Sequence, residues 1–229
     1  VWTLIDMFPG RPGMTVIGEN GGIVMRDGVE VSSSPLDAPT MREAVRLVRD
    51  ATSGPDGIDG GLVMCGKQFA YVERTDDRFV DGVMPYYHRT KRVDDQIAII
   101  DAIEAGQIDD AIVKLAVYVI GPVQALAQAT LANFADTHQY AISGANWADL
   151  QIRGVDKGSA VRDLQRFLGV DRSQTAVFGD AGNDLSMMSE GDLSFAMANA
   201  SRDVVEAARF VAPSNNEAGV AQVLRALLV

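Results

Sequence analysis

Cysteine is nearly missing from this chain: Cys65 is the single one in 229 residues. No internal disulfide can form, so a packed core has to carry the fold. Cys65 ends the apolar run Leu62 to Cys65, where a small buried hydrophobe is expected rather than a reactive thiol. Histidine is almost as scarce. His88 and His138 stand alone, without the partner spacing that metal binding or nucleophilic catalysis needs, and are expected to be structural or exposed. Long apolar runs are missing too. The best candidate, Ala111 to Ala125, is broken by Lys114, Gly121 and Pro122, short of the ~20 residues of a membrane span. A soluble, cytoplasmic protein with no membrane partner is the expectation. Neither a Gly-x-Gly-x-x-Gly nor a Walker-type loop occurs, which weakens a nucleotide-binding or receiver-like reading.

Basic charge is the minority: 20 Lys and Arg face 31 Asp and Glu, a net charge of -11. That surface repels a phosphate backbone, so nucleic acid is not an expected partner. A small anionic substrate would need a local cation, from a bound metal or a placed Lys or Arg. Lys67, Arg89, Lys91 and Arg92 could reach such a substrate, although a solvated face is the plainer reading of such charges.

What the chain does have is enough apolar content, 47%, to bury a sizeable core. Thr40 and Glu43 read as a capping box, followed at helical spacing by Met41, Val45 and Val48. Further helices are expected near 95–105, 122–135, 158–168 and 216–228, the second of these with Pro122 in its first turn. Between them lie runs rich in Val, Ile and aromatics: Met14 to Ile17, Leu62 to Cys65, Ile112 to Ile120 and Thr175 to Phe178. From residue 158 onward, helices alternate with strands at 175–178, Leu193 to Met197 and Phe210 to Val211. This is the pattern of a doubly wound parallel sheet and places the chain in the α/β class. Trp147 to Ile152 instead alternates like an antiparallel strand with one exposed face, and Arg26-Asp27-Gly28 supplies a hairpin turn. The expected organisation is a core domain from residues 1–35 and 152–229, with 36–151 inserted as an α+β cap domain.

The sharpest signal is Gly179-Asp180-Ala181-Gly182-Asn183-Asp184. A buried strand ends at Gly179 and a helix starts shortly after, so Asp180 and Asp184 fall at the carboxyl edge of a parallel sheet, where ligands bind in such folds. Two carboxylates with Asn183 between them are hard oxygen ligands suited to Mg²⁺. The plainer alternative is a turn and a helix cap. Asp156-Lys157-Gly158 precedes the helix that leads into this strand, and a right-handed crossover brings Lys157 to the same edge. An ammonium beside carboxylates is what a phosphoryl site requires.

The order Asp-Lys-Gly, helix, buried strand, Gly-Asp-x-x-Asn-Asp resembles the third and fourth motifs of haloacid dehalogenase phosphatases. Glu19-Asn20-Gly21-Gly22, Leu150-Gln151-Ile152, Ala196 to Ala200 and Asn216 to Ala221 resemble further features of the Cof-like, subclass IIB branch. The resemblance implies a Mg²⁺-dependent phosphatase of small phosphorylated metabolites, a small-molecule phosphate ester being the partner, working through an aspartyl-phosphate as a monomer or homodimer. In that reading Lys157 holds the phosphoryl oxygens, Asp180 ligates Mg²⁺, and Asp184 completes or orients the metal site. Asn183 contacts the phosphoryl group or positions Lys157, and with Asn20 it belongs to the substrate-binding set. The family's first motif, Asp-x-Asp-Gly-Thr, which carries the nucleophile, is absent: Asp6-Met7-Phe8-Pro9-Gly10 has Phe8 in place of the second Asp. The second motif is missing as well. The chain opens at Val1, and the expectation is that roughly 40 residues precede it with the central strand, the chain alone being inactive. The alternative is a phospho-ligand binding protein that has lost its nucleophile.

Overall fold

The computed structural model describes residues 1–228. The chain divides into two compact units, residues 1–27 with 33–155 and residues 28–32 with 156–229. Residues 1–27, expected with the C-terminal segment, group here with the middle of the chain.

The first unit opens with α1 (Trp2–Met7), β1 (Thr15–Gly18) and β2 (Ile23–Arg26), the two strands pairing antiparallel. Asp27 and Gly28 both take positive φ, 50° and 80°. This is the two-residue turn geometry read from Arg26-Asp27-Gly28, and it leads into β3 (Val29–Ser33), most of which groups with the second unit. The first unit then continues through α2 (Ala38–Thr52), β4 (Gly60–Gly66), β5 (Ala70–Val72), α3 (Asp77–Val83), β6 (Thr90–Arg92), α4 (Gln96–Glu104) and β7 (Ile112–Val119). It ends with α5 (Gln124–Ala129), β8 (His138–Ile142) and β9 (Trp147–Ile152). These strands form a six-stranded sheet in the order β6-β5-β4-β7-β9-β8, antiparallel except for β5 and β6.

Three expectations are corrected in this unit. Asp37, not Thr40, caps α2: its carboxylate accepts the Thr40 N–H at 2.8 Å and the Thr40 hydroxyl at 3.1 Å. A carboxylate three residues ahead satisfies a free N–H at the helix start and favours the helix dipole, leaving Thr40 inside the first turn. The helix expected over 122–135 ends at Ala129, because the Thr130 hydroxyl bonds back to the Leu126 carbonyl at 2.6 Å and Thr130 leaves helical geometry. Strand β9 does not expose a face: Ala148, Asp149, Leu150 and Gln151 are all buried. One side of the sheet packs on α2, α4 and α5 through Leu62, Met64, Leu115, Val117 and Leu150. The other is covered by α3 through Phe79, Val80 and Val83, with Tyr87, Tyr118 and Trp147.

The second unit holds α6 (Lys157–Leu168), β10 (Ala176–Gly179), α7 (Leu185–Met188), β11 (Leu193–Met197), α8 (Arg202–Ala207), β12 (Phe210–Ala212) and α9 (Gly219–Leu227). Strands β10, β11 and β12 form a parallel sheet in that order. Strand alternation separates its two faces. Val177 and Ala196 pack with Met188 and Val204 on one face. Phe178, Phe195 and Phe210 form a row on the other, with ring centroids 4.8 and 5.2 Å apart. The alternation of apolar strands and helices thus gives the expected α/β architecture, with parallel strands whose carboxyl ends carry the Asp-rich loop.

Candidate active site

The sheet edge after β10 is shaped by one carboxylate. Asp184 lies at the end of a single 3₁₀ turn, Gly182–Asp184, and is 5% exposed. Its Oδ2 accepts the backbone N–H groups of Asp180 and Ala181 at 3.0 and 3.2 Å. Its Oδ1 accepts the Lys157 ammonium at 2.5 Å. Burial opposes ionisation of Asp184, but the Lys157 bond and the two backbone donors outweigh it and hold its carboxyl below the usual range. Gly179 is needed because of this arrangement: a Cβ there would stand 2.6 Å from the Asp184 Cβ. Its smallness therefore serves the loop's own closure. Gly182 faces open space.

Lys157 reaches Asp184 because Asp156 starts α6 there. The Asp156 carboxylate accepts the Ser159 N–H at 2.8 Å, and the Ser159 hydroxyl accepts the Asp156 N–H at 2.9 Å. This reciprocal cap fixes the first turn. The Gly158 N–H donates to the Ser186 hydroxyl at 3.0 Å. A Cβ on Gly158 would collide with the Ser186 backbone, so only glycine lets α6 approach α7 this closely. The Lys157 side chain keeps 32% of its surface exposed, so its ammonium is anchored and still open to a ligand.

Asp180 stands one residue past the end of β10 and is half-buried. Its carbonyl accepts the Ser201 N–H at 2.9 Å. Its Oδ2 receives a long hydrogen bond, 3.4 Å, from the Asn215 amide, and among the described residues its Oδ1 accepts none. Asn215 is itself placed by its own N–H, which donates to Asn199 Oδ1 at 3.0 Å. Asn183 is exposed on the 3₁₀ turn.

The structure therefore brings Lys157, Asp180 and Asp184 together, with Asn183 on the same loop. Asn20 lies in the other unit, where its amide donates to Asp149 at 3.1 Å. Sequence reasoning missed Asn215, which touches Asp180. It lies one residue before the Asn216 run, and the signal that could have found it is the Ser214/Glu217 capping box that turns the chain there. Asn199 was noticed as part of a motif but given no role.

A divalent cation is held by oxygen ligands, and Mg²⁺ takes one or two carboxylates with waters and substrate oxygens. Asp180 meets that requirement with an available oxygen. Both Asp184 oxygens are already engaged. Among the described residues no group of three or more acidic, His or Cys side chains is gathered as a ready cation cage.

Cys65 is buried and burial pushes its thiol up to about 12. His138 meets the Thr137 hydroxyl, and His88 lies 3.6 Å from Asp6. Arg89 and Lys91 stack over Trp2 and Phe69, each 3.6 Å from the ring centre, and Arg92 lies 4.0 Å from Asp77. No described helix is long and apolar enough to cross a membrane.

The chain belongs to the haloacid dehalogenase-like hydrolase family, whose model matches residues 8–224. Among curated proteins it is 31% identical over 232 residues to the 5-amino-6-(5-phospho-D-ribitylamino)uracil phosphatase YbjI of Escherichia coli, covering 99% of this chain and 79% of that one. Among solved structures, SMU.1108c from Streptococcus mutans superposes with a TM-score of 0.77 at 22% identity, covering 99% of this chain and 82% of its own. The subclass IIB sugar phosphatase BT4131 does so with a TM-score of 0.68 at 17% identity, covering 93% and 75%. These two likenesses concern the fold.

Proposed function

We propose that this chain forms the greater part of a Mg²⁺-dependent phosphatase of small phosphorylated metabolites. The observation that carries the reading is the Lys157 ammonium, locked by Asp184 beside the open carboxylate of Asp180 at the carboxyl edge of β10. In a chain of net charge -11, this is the local cation that an anionic substrate requires.

Lys157 would donate hydrogen bonds to the phosphoryl oxygens and offset the charge they carry as the group transfers. Asp184 would keep that ammonium aimed while closing the loop over two backbone donors. Asp180, steadied by Asn215, would hold the Mg²⁺, with Asn183 at the phosphoryl group. When bound, the metal supplies charge neutralisation on the phosphate ester. The attacking group in the resembling family is an aspartate of a first motif that residues 1–229 do not contain. Its carboxylate oxygen would bond to phosphorus as the ester oxygen departs, and water would then break the aspartyl-phosphate. Residues 36–151 would act as the cap that selects the substrate. The name of the E. coli relative makes a phosphoribityl compound the first candidate, and cytoplasmic location is proposed with it.

The test is phosphate release from an aryl phosphate and from a phosphoribityl ester, measured on the full-length product of the gene. Asp180→Ala should abolish the Mg²⁺-dependent activity. Activity within about tenfold of the parent, about 1.4 kcal/mol in the barrier, would remove Asp180 from the metal site. A parent without turnover that still binds phosphate esters would favour the binding-protein reading.

A further inference from the structure

A cavity of about 540 Å³ opens in the first unit, where the C-terminal half of α2, the loop before β4 and the residues after β5 meet the start of α4. That volume falls within the range of about 300 to 1,000 Å³ typical of small-molecule sites. All of its lining residues belong to this one unit. Its floor is apolar: Val45, Val48 and Leu62 are buried and Ile58 is half-buried. One wall is fixed by the backbone. The Ile58 N–H donates to the Ala51 carbonyl at 3.0 Å, and the Gly60 N–H to the Ile58 carbonyl at 2.8 Å. Gly57 packs so closely on the end of α2 that a Cβ there would stand 2.3 Å from the Thr52 carbonyl oxygen. The shape is therefore built before any ligand arrives, which lowers the cost of binding.

The informative residue is Gln96, 2% exposed at the first position of α4. Both N–H groups of its amide are spent: Nε2 donates to the Leu62 carbonyl at 3.1 Å and to the Tyr71 carbonyl at 2.8 Å. These two acceptors fix which end of the amide faces them, because the reverse orientation would set oxygen against oxygen. Oε1 is thereby turned away from both, and among the described residues it accepts no hydrogen bond. No enclosed side-chain oxygen or nitrogen of those residues lacks a partner, and Gln96 lines the cavity. Its Oε1 is therefore an acceptor open to that space. A buried amide oxygen costs free energy unless a donor meets it, so a ligand that supplies one is favoured.

The charged groups of the lining are already matched. Arg49 donates from Nε to Glu73 at 3.1 Å, and from Nη2 to Glu73 and, at 2.6 Å, to Asp95. Arg74 donates from Nη1 to Asp59 and from Nε to Asp76, each at 2.5 Å. Glu73 also accepts the Gln96 N–H at 2.5 Å. An anion would have to draw a guanidinium away from carboxylates that hold it, and a cation would meet both arginines, so neither sign is favoured. Among the described residues Arg49 Nη1 donates to none, which adds donors to the Gln96 acceptor on the same lining. A hydroxyl group offers a donor and an acceptor in one atom.

We propose that this cavity is a binding site for a neutral polyhydroxylated molecule, a polyol or a mono- to disaccharide. One ligand hydroxyl donates to Gln96 Oε1, another accepts from Arg49 Nη1, and the carbon face of the ligand rests on Val45, Val48, Ile58 and Leu62. The site stands whether or not the protein hydrolyses phosphate esters.

Saturation-transfer NMR on the full-length protein, with xylitol, glucose and maltose as probes, followed by titration of each, tests it. At least one should bind with a Kd of about 1 mM or tighter. Thr52→Phe fills the cavity from the end of α2; the Thr52 hydroxyl bonds only carbonyls of its own helix, so the charged pairs stay in place. Gln96→Leu removes the acceptor. Each should weaken binding by roughly tenfold or more. Gln96→Leu also deprives two carbonyls of their donor. If it does not fold, Arg49→Lys, which keeps the charge and loses Nη1, takes its place beside Thr52→Phe. Failure of all three probes to bind overturns the proposal. Binding unchanged in Thr52→Phe lies elsewhere on the protein and overturns the site. Inorganic phosphate or spermidine that binds more tightly than the sugars, and is lost in Thr52→Phe, overturns the assignment to a neutral ligand.

Discussion

Replacing Asp184 separates two things the residue does: closing the loop after β10 and pairing with Lys157. In Asp184→Ala both functions go. The N–H groups of Asp180 and Ala181 lose their acceptor in a half-buried loop, at about 1 kcal/mol or more each. The Lys157 pair is lost as well, but an ammonium 32% exposed recovers much of that in water, so this part is discounted to about 1 kcal/mol or less. A total near 3 kcal/mol is expected. In Asp184→Asn the amide oxygen still accepts the backbone donors, and the cost should be about 1 to 2 kcal/mol. Both tryptophans, Trp2 and Trp147, belong to the first unit, so a readout within the loop's own unit is used. Hydrogen exchange over residues 176–197 provides it. The pH dependence follows from the depressed carboxyl of Asp184. Its stability contribution is full above the ordinary value of 3.8 and is lost as pH falls through the lower value of the folded state. Asp184→Asn should abolish that acid-side loss. Equal costs for Ala and Asn, or an unchanged acid limb in Asn, would refute the two-function account.

Two further outcomes concern the first unit. Cys65, buried with its thiol pushed up to about 12, should resist an aromatic disulfide reagent at pH 8 and react only on unfolding; stoichiometric labelling of the native protein within minutes would contradict its burial. Lys114→Met should cost about 3 to 5 kcal/mol by urea titration of tryptophan fluorescence, because Glu19 and Asp149 are left buried without their cation. Burial opposes the charge on Lys114, yet Glu19 and its neighbours hold its proton firmly. In the variant, burial opposes ionisation of the freed Glu19 carboxylate, so stability should rise as pH is lowered; a loss below about 1 kcal/mol would mean the network is solvated.

The parallel strands of the second unit were legible because each is a short apolar run between helices, and Leu193–Met197 is found as read. The edge strands of the six-stranded sheet were not. Thr90–Arg92 and His138–Ile142 carry mixed polarity over three and five residues, and only pairing with neighbours makes them strands. At Trp147–Ile152 the polar Asp149 and Gln151 suggested a wet face, but their side chains are buried because Lys114, Asn20 and the Val155 carbonyl pair with them. Lys114 itself was visible only as an interruption in an apolar run. In the candidate site, spacing correctly put Lys157 near Asp180 and Asp184. It did not reveal that Asp184 spends one oxygen on Lys157 and the other on the backbone, since which lone pair accepts which donor is set by the turn's closure. Asn215 lay hidden for a similar reason, its approach to Asp180 depending on the cap at Ser214.

The central claim is that Lys157 acts through its charge at a transferring phosphoryl group, and Lys157→Met in the intact enzyme addresses it most directly. The methionine keeps most of the apolar stem, and α6 keeps its Asp156 cap. Turnover of an aryl phosphate should fall by roughly 10² or more, the scale of one preorganised charge-stabilising donor, while the thermal midpoint shifts little. A variant that retains turnover, or one that unfolds, would make Lys157 only the first residue of a helix.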